Sequence, residues 1–282
     1  TDYLDQFIAD PDAPDRIIFG GAVGVATVTT TNGDAFGSGN NNQDNGFQFG
    51  VDVGTATGPY VVRSQINPPF FDGNTPGNFP SQGIFIGTGD QDNYIKLVLS
   101  KGTGNASVSG FQALMEVGGS TSSMEVDVPG VLNVTGIELI IKVDPSNGEV
   151  TPFYSLDGAA PVQVGNSPFT ASGNLLAAIQ GTYTLPGTST SSSLAVGMIS
   201  TNFNNTPSFK ASWDYFEVNP IVPPTVANSI DDITVVQGGS VDSIDLNEVF
   251  ADDSQLTYEV VSTDDSVASG NITDDNLALT IG

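Results

Sequence analysis

Residues 137–158, IELIIKVDPSNGEVTPFYSLDG, decide how the chain is read. Gly136 to Val143 and Val150 to Leu156 are runs of strand length, rich in β-branched and aromatic side chains. Between them, Asp144-Pro-Ser-Asn-Gly-Glu149 concentrates turn formers, and Gly148 supplies the positive φ that a tight hairpin needs. Ser155 to Gly158 marks the next turn.

Working outward, the same alternation of apolar runs and turn signals recurs. It is found at Arg16 to Phe19, Gly46 to Val53, Tyr60 to Ile66, Gly83 to Gly87, Tyr94 to Leu99, Phe111 to Val117 and Ser123 to Val128. It continues at Ala177 to Leu185, Leu194 to Ile199 and Phe209 to Val218. About a dozen strands in one block predict two packed antiparallel sheets. The loop from Asn67 to Gln82 holds four prolines and three phenylalanines. That many prolines cannot sit in a central strand, so the loop is expected to be an ordered excursion over the surface.

After Val218 the sequence runs NPIVPPT, a stiff connector that stops the last strand. The expected organisation is a large sandwich over residues 1–219, a Pro-rich linker over 220–224 and an incomplete second sandwich over 225–282. In this last part, acidic pairs at Asp231-Asp232, Asp252-Asp253, Asp264-Asp265 and Asp274-Asp275 separate short apolar runs.

Composition narrows the function. The 282 residues carry 32 acidic and 6 basic side chains, a net charge of −26, with 33 Gly, 17 Pro, no Cys and no His. So few cations cannot bind nucleic acid phosphates or an anionic membrane, and no run reaches the roughly 20 apolar residues that span a bilayer. The absence of Cys and His removes thiolate chemistry, disulfides, the usual zinc sites and the commonest general base. A compact body with this much one-signed charge repels itself unless cations screen it, and Ca²⁺ suits carboxylate and carbonyl oxygens. An acidic, Asp/Asn-rich, Lys-poor surface points to an extracellular place, on a cell surface or secreted.

The segment 137–158 resembles the strand, hairpin and YSxDG turn of concanavalin A-like (laminin-G-like) jelly rolls. Leu194 to Ser200 followed by Phe209 to Val218, with Trp213-Asp214 at its centre, is similar to their closing strands. Val226 to Ser240 and Ile244 to Tyr258 resemble bacterial cadherin-like repeats of large surface proteins and adhesins. The resemblance implies a concanavalin-like antiparallel β-sandwich followed by a partial Ig/cadherin-like β-sandwich. It also implies structural calcium, with carbohydrate or a cell surface as the partner.

Concanavalin-like glycosidases carry Glu-x-Asp-x-x-Glu along one strand. Here the nearest run, Glu125-Val-Asp127, lacks the second Glu and is read as a solvated strand edge, so the chain is expected not to be an enzyme. The resemblance places a calcium at Asp214. Alternation along the strand sets Asp214 opposite Trp213 and Tyr215, with Glu217 on the face of those two rings. Asp10, Asp12 and Asp15 could complete that site or form a solvated lead-in. Asp90 and Asp92 could chelate a cation or build a turn. Asp252 and Asp253 match the acidic turn of the cadherin-like repeat.

Sugar binding requires an aromatic platform beside amide or carboxylate groups. Phe70, Phe71, Asn74, Asn78 and Phe79 of the long loop have that composition, although the rings could equally fold back to pin the loop. The expectation is therefore a calcium-stabilised, carbohydrate-binding adhesion module. The alternative is a spacer or self-assembling protomer that adds neighbouring copies strand to strand.

Overall fold

The computed structural model describes residues 17–20, 24–28, 31, 33–37, 42–43, 46–54, 58–73, 79–102, 109–184, 193–203, 208–222, 224–236, 241–251 and 256–281. The chain divides into two compact units, Thr1–Pro220 and Ile221–Gly282.

The first unit is a β-sandwich of two antiparallel sheets. One runs in the order β1 (Ile17–Gly20), β2 (Val25–Val28), β14 (Ala211–Pro220), β4 (Tyr60–Ile66), β9 (Ile137–Asp144), β10 (Glu149–Leu156) and β11 (Val162–Gln163). A short β12 (Phe169–Thr170) also pairs with β10. The other is β3 (Phe47–Val51), β13 (Leu194–Thr201), β5 (Ser81–Gly87), β6 (Asn93–Lys101), β7 (Ser109–Val117) and β8 (Ser120–Asp127).

The β9–β10 hairpin forms as its sequence dictates. Gly148 has φ 76°, and the Asp144 carboxylate accepts from the Ser146 N–H and hydroxyl at 2.9 and 2.6 Å. At the far end of β10, Asp157 Oδ1 accepts from Thr135 N, Thr135 Oγ1 and Gly136 N, which holds its carboxyl below the usual range.

The inner faces meet through side chains at alternate positions. Ile84 and Ile86 of β5, Ile95, Leu97 and Leu99 of β6, Val196 of β13, Ile137, Leu139 and Ile141 of β9, and Trp213 of β14 share one core. Each large apolar side chain fully buried there stabilises by about 1.5–3 kcal/mol. Two polar contacts cross or edge this core: the Trp213 indole donates to the Gly83 carbonyl at 2.9 Å, and Tyr60 Oη donates to the Ile179 carbonyl at 3.0 Å.

Three sequence expectations are corrected in this unit. Residues 177–185 do not form a strand; α1 (Gly173–Ile179) occupies part of that stretch, and Leu175, Ala178 and Ile179, at helical spacing, face the core. Phe70 and Phe71 are not a surface platform. They lie 5% and 0% exposed, on a 3-10 turn over Phe70–Gly73, with Phe71 edge-on to Phe209 at 5.1 Å. Burying two rings offsets the cost of ordering a proline-rich loop.

The third correction concerns β14. Its register against β4 shifts between Trp213 and Phe216, and this bulge turns Phe216 and Val218 toward the core after Trp213. Tyr215 and Glu217 therefore lie on the face opposite Trp213. Tyr215 Oη donates to Glu138 Oε1 at 2.6 Å, and Arg63 sits 3.7 Å from the same carboxylate oxygen.

The second unit holds a two-stranded sheet of β15 (Thr225–Val226) with β17 (Phe250–Ala251). It also holds a three-stranded sheet in the order β16 (Ile244–Asp245), β19 (Asn276–Ile281), β18 (Ala268–Thr273). Asp274 and Asp275, φ 48° and 61°, form the two-residue turn between β18 and β19. A one-turn helix, α2 (Leu246–Val249), is capped by Asp245, which accepts from Asn247 N at 3.0 Å.

Candidate functional site

The inner strands β13, β5 and β6 of the six-stranded sheet are buried on both faces, which alternating strands alone do not require. Its outer face carries Phe85, Tyr94, Val98, Leu114 and Ile199, which cluster with Ala35 from a covering segment. Among the described residues that segment is fastened by polar contacts. Lys96 Nζ and Tyr94 Oη both donate to the Ala35 carbonyl, at 2.6 and 2.9 Å, and Gly37 N donates to Glu116 Oε2 at 3.0 Å. Asp34 Oδ1 accepts from Ala35 N at 2.7 Å.

Beside this strap the outer face opens into a pocket of about 390 Å³. That volume lies within the ordinary range for small-molecule sites, roughly 300–1,000 Å³. Phe36, Phe79 and Phe203 stand around it, each about 40% exposed. The rings of Phe79 and Phe203 meet edge to face, their centroids 5.4 Å apart.

The floor is polar. Ser81 and Thr201 share a hydroxyl–hydroxyl bond at 2.9 Å, Ser100 lies beside them in register, and Gln112 Nε2 donates to Glu125 Oε1 at 2.7 Å. Asp34 and Lys96 complete the wall. Burial pulls the Lys96 ammonium down to about 8, against the opposing pull of Asp34, Glu116 and Glu125. Burial likewise raises Asp34, with Lys96 and the Ala35 N–H acting the other way. The Tyr94 phenol is pushed well up by burial and by Glu116.

Of the residues expected to bind sugar from sequence, Phe79 is on this pocket, Phe70 and Phe71 are in the core, and Asn74 and Asn78 lie outside the described residues. Sequence reasoning missed Phe36, Phe203, Lys96 and Asp34. Lys96 carried a signal, being a cation inside the apolar run YIKLVLS of a chain with six basic residues. Glu125 was read as a strand edge, yet it lines the pocket.

Of the expected cation ligands, Asp214, Asp90 and Asp92 lie among the described residues. Asp214 is exposed on the bulged part of β14. Asp90 Oδ1 closes a turn by accepting from Asp92 N, Asn93 N and Asn93 Nδ2 at 2.9, 2.8 and 3.3 Å. Asp10, Asp12, Asp15, Asp252 and Asp253 lie outside the described residues. Among the described residues, no three acidic side chains are placed to share a metal ion.

No family model matches the sequence, and no curated protein matches it. Its fold does recur among solved structures. A functionally unknown protein from Saccharomyces cerevisiae aligns at 13% identity and a TM-score of 0.51, over 75% of this chain and 95% of its own. A bifunctional GH43-CE protein of Bacteroides eggerthii aligns at 13% identity and a TM-score of 0.50, over 74% of this chain. A legume lectin-like domain from Entamoeba histolytica aligns at 9% identity and a TM-score of 0.41, over 73% of this chain and 87% of its own.

At these identities the likeness is one of fold, an antiparallel β-sandwich. This chain spans 22% of the length of the GH43-CE protein. The expectation that the chain is not an enzyme is corrected by that finding. The sandwich recurs within a bifunctional GH43-CE protein, so the missing second Glu of Glu-x-Asp-x-x-Glu is no ground for setting catalysis aside.

Proposed function

We propose that the first unit binds carbohydrate in the pocket bounded by Phe36, Phe79 and Phe203. The observation that carries this reading is the pairing of exposed rings with a floor of hydroxyl, amide and carboxylate groups on one rigid sheet. Apolar sugar faces stack on rings while sugar hydroxyls need directional partners, and this pocket offers both. The antiparallel β-sandwich is compatible with the reading without specifying it.

The test is retention on a set of polysaccharides, followed by calorimetry with the oligosaccharides of those retained. Saturable binding by the intact chain that is lost in Phe203→Ala supports the proposal; binding unaffected by Phe203→Ala and Phe79→Ala sinks the assignment to this pocket. Assaying the same incubations for new reducing ends separates binding alone from turnover.

The rest of the reading is of a calcium-stabilised module acting outside the cell or on its surface, its second unit a cadherin-like stalk repeat. The net charge of −26 and the acidic pairs of residues 225–282 support it. A second reading, association of copies through the second unit, is favoured by its apolar surface. Leu246 and Val249 are buried, but Val236, Val261 and Val267 are 80%, 79% and 62% exposed. Sedimentation over a concentration series tests it, and a monomer throughout removes it.

A further inference from the structure

We propose that this pocket selects neutral saccharides and rejects acidic ones, an inference that rests on the carbohydrate reading above. Among the described residues, Lys96 is the cation on its wall. Its ammonium is buried, donates to the Ala35 carbonyl at 2.6 Å and lies in the field of three carboxylates, Asp34, Glu116 and Glu125. An arriving uronate or sulfate therefore meets more negative than positive charge.

That excess survives protonation of the most easily protonated member. Burial favours a proton on Asp34, yet two more acidic side chains, Glu116 and Glu125, act on the single cation Lys96. Asp34, Lys96 and Glu116 are buried, so salt screens their fields weakly, whereas Glu125 is exposed and screened more. A neutral sugar meets none of this repulsion. Its hydroxyls can donate to Glu125 and exchange bonds with Gln112, Ser81, Ser100 and Thr201, while its apolar face stacks on Phe79 or Phe203.

The experiment is calorimetry of the intact chain, near neutral pH and at both physiological and high salt. The ligands are neutral xylohexaose, cellohexaose and mannohexaose beside hexameric oligogalacturonate and oligoguluronate. The expected result is that at least one neutral ligand binds in a Phe203-dependent way. Both acidic ligands should bind about tenfold more weakly or worse, as repulsion of this size in a half-enclosed site implies.

High salt should narrow the gap by screening the exposed Glu125 without closing it, and the part that remains separates the pocket's buried charges from the long-range repulsion of the whole chain. Glu125→Gln keeps the bond from Gln112 and should narrow the gap. An acidic ligand that binds at this site as well as the best neutral one, or a gap that Glu125→Gln leaves unchanged, overturns the inference and spares the carbohydrate reading. No binding by any of the ligands overturns both.

Discussion

Phe79 and Phe203 come from loops at the ends of adjacent strands, β5 and β13, and meet edge to face at 5.4 Å, each ring held by the other while one side stays open to solvent. Neither ring belongs to the core, so their exposure is not a by-product of packing the sandwich. Truncating either to alanine should weaken saccharide binding by about 1–2 kcal/mol, roughly five- to thirtyfold, in line with the worth of a stacked ring. The melting temperature should stay within a few degrees, because little buried surface is lost. Titration calorimetry and thermal unfolding of the same samples check both halves.

Lys96 is held below its unfolded value, at about 8, and this fixes the sign of a pH effect. Between about pH 8 and pH 10 the folded chain holds fewer protons at Lys96 than the unfolded chain does, so this group makes stability rise with pH there. Below about pH 8 both states are charged and the penalty of burying the ammonium is fully present. Above pH 10 the raised phenols of Tyr60 and Tyr94 reverse the slope, since the folded state then retains protons that the unfolded state loses. Lys96→Met should flatten the rise between pH 8 and pH 10, measured by denaturant unfolding at each pH. A variant that keeps the wild-type slope would contradict the assignment.

Gln82 and Ser200 are paired across β5 and β13 on the core side of the sheet, 1% and 0% exposed. Neither amide atom of Gln82 has a hydrogen-bond partner, and nor does the Ser200 hydroxyl. A buried polar group left unpaired costs about 1–3 kcal/mol. Ser200→Ala should therefore be neutral or stabilising by up to about 1 kcal/mol, where most core substitutions destabilise. A loss greater than 1 kcal/mol in a urea titration would show that an ordered water satisfies the pair.

Trp213 links the sheets through its bond to the Gly83 carbonyl as well as through its ring. Trp213→Phe keeps an aromatic ring but removes the bond between the sheets and leaves a gap in the core, and should cost about 2–4 kcal/mol. The measurement is equilibrium unfolding. A change below 1 kcal/mol would mean that neither the bond nor the lost ring volume matters to stability.

Calcium is tested most directly on the whole chain, by thermal unfolding with calcium titrated against chelator. Calcium that binds the native state raises the midpoint with its free concentration. No shift removes calcium from the reading; a shift retained in Asp214→Asn removes Asp214 from the site.

The sequence by itself determined that this is an all-β chain and where most of its strands lie. Those properties follow from local alternation, β-branched composition and turn chemistry, all readable within a few residues, as at Asp144–Gly148. It also determined the charge, −26 from 32 acidic and 6 basic side chains. Only the tertiary structure decided which face of a strand meets which neighbour. The bulge at 214–215 reverses the alternation of β14, the helix at 173–179 replaces a strand, and Phe70 and Phe71 turn inward where Phe79 turns out. The pocket could not be read from any one segment, because Asp34, Phe79, Lys96, Glu125 and Phe203 are far apart in the chain. Hydrogen bonding between non-sequential strands is what sets them around one space.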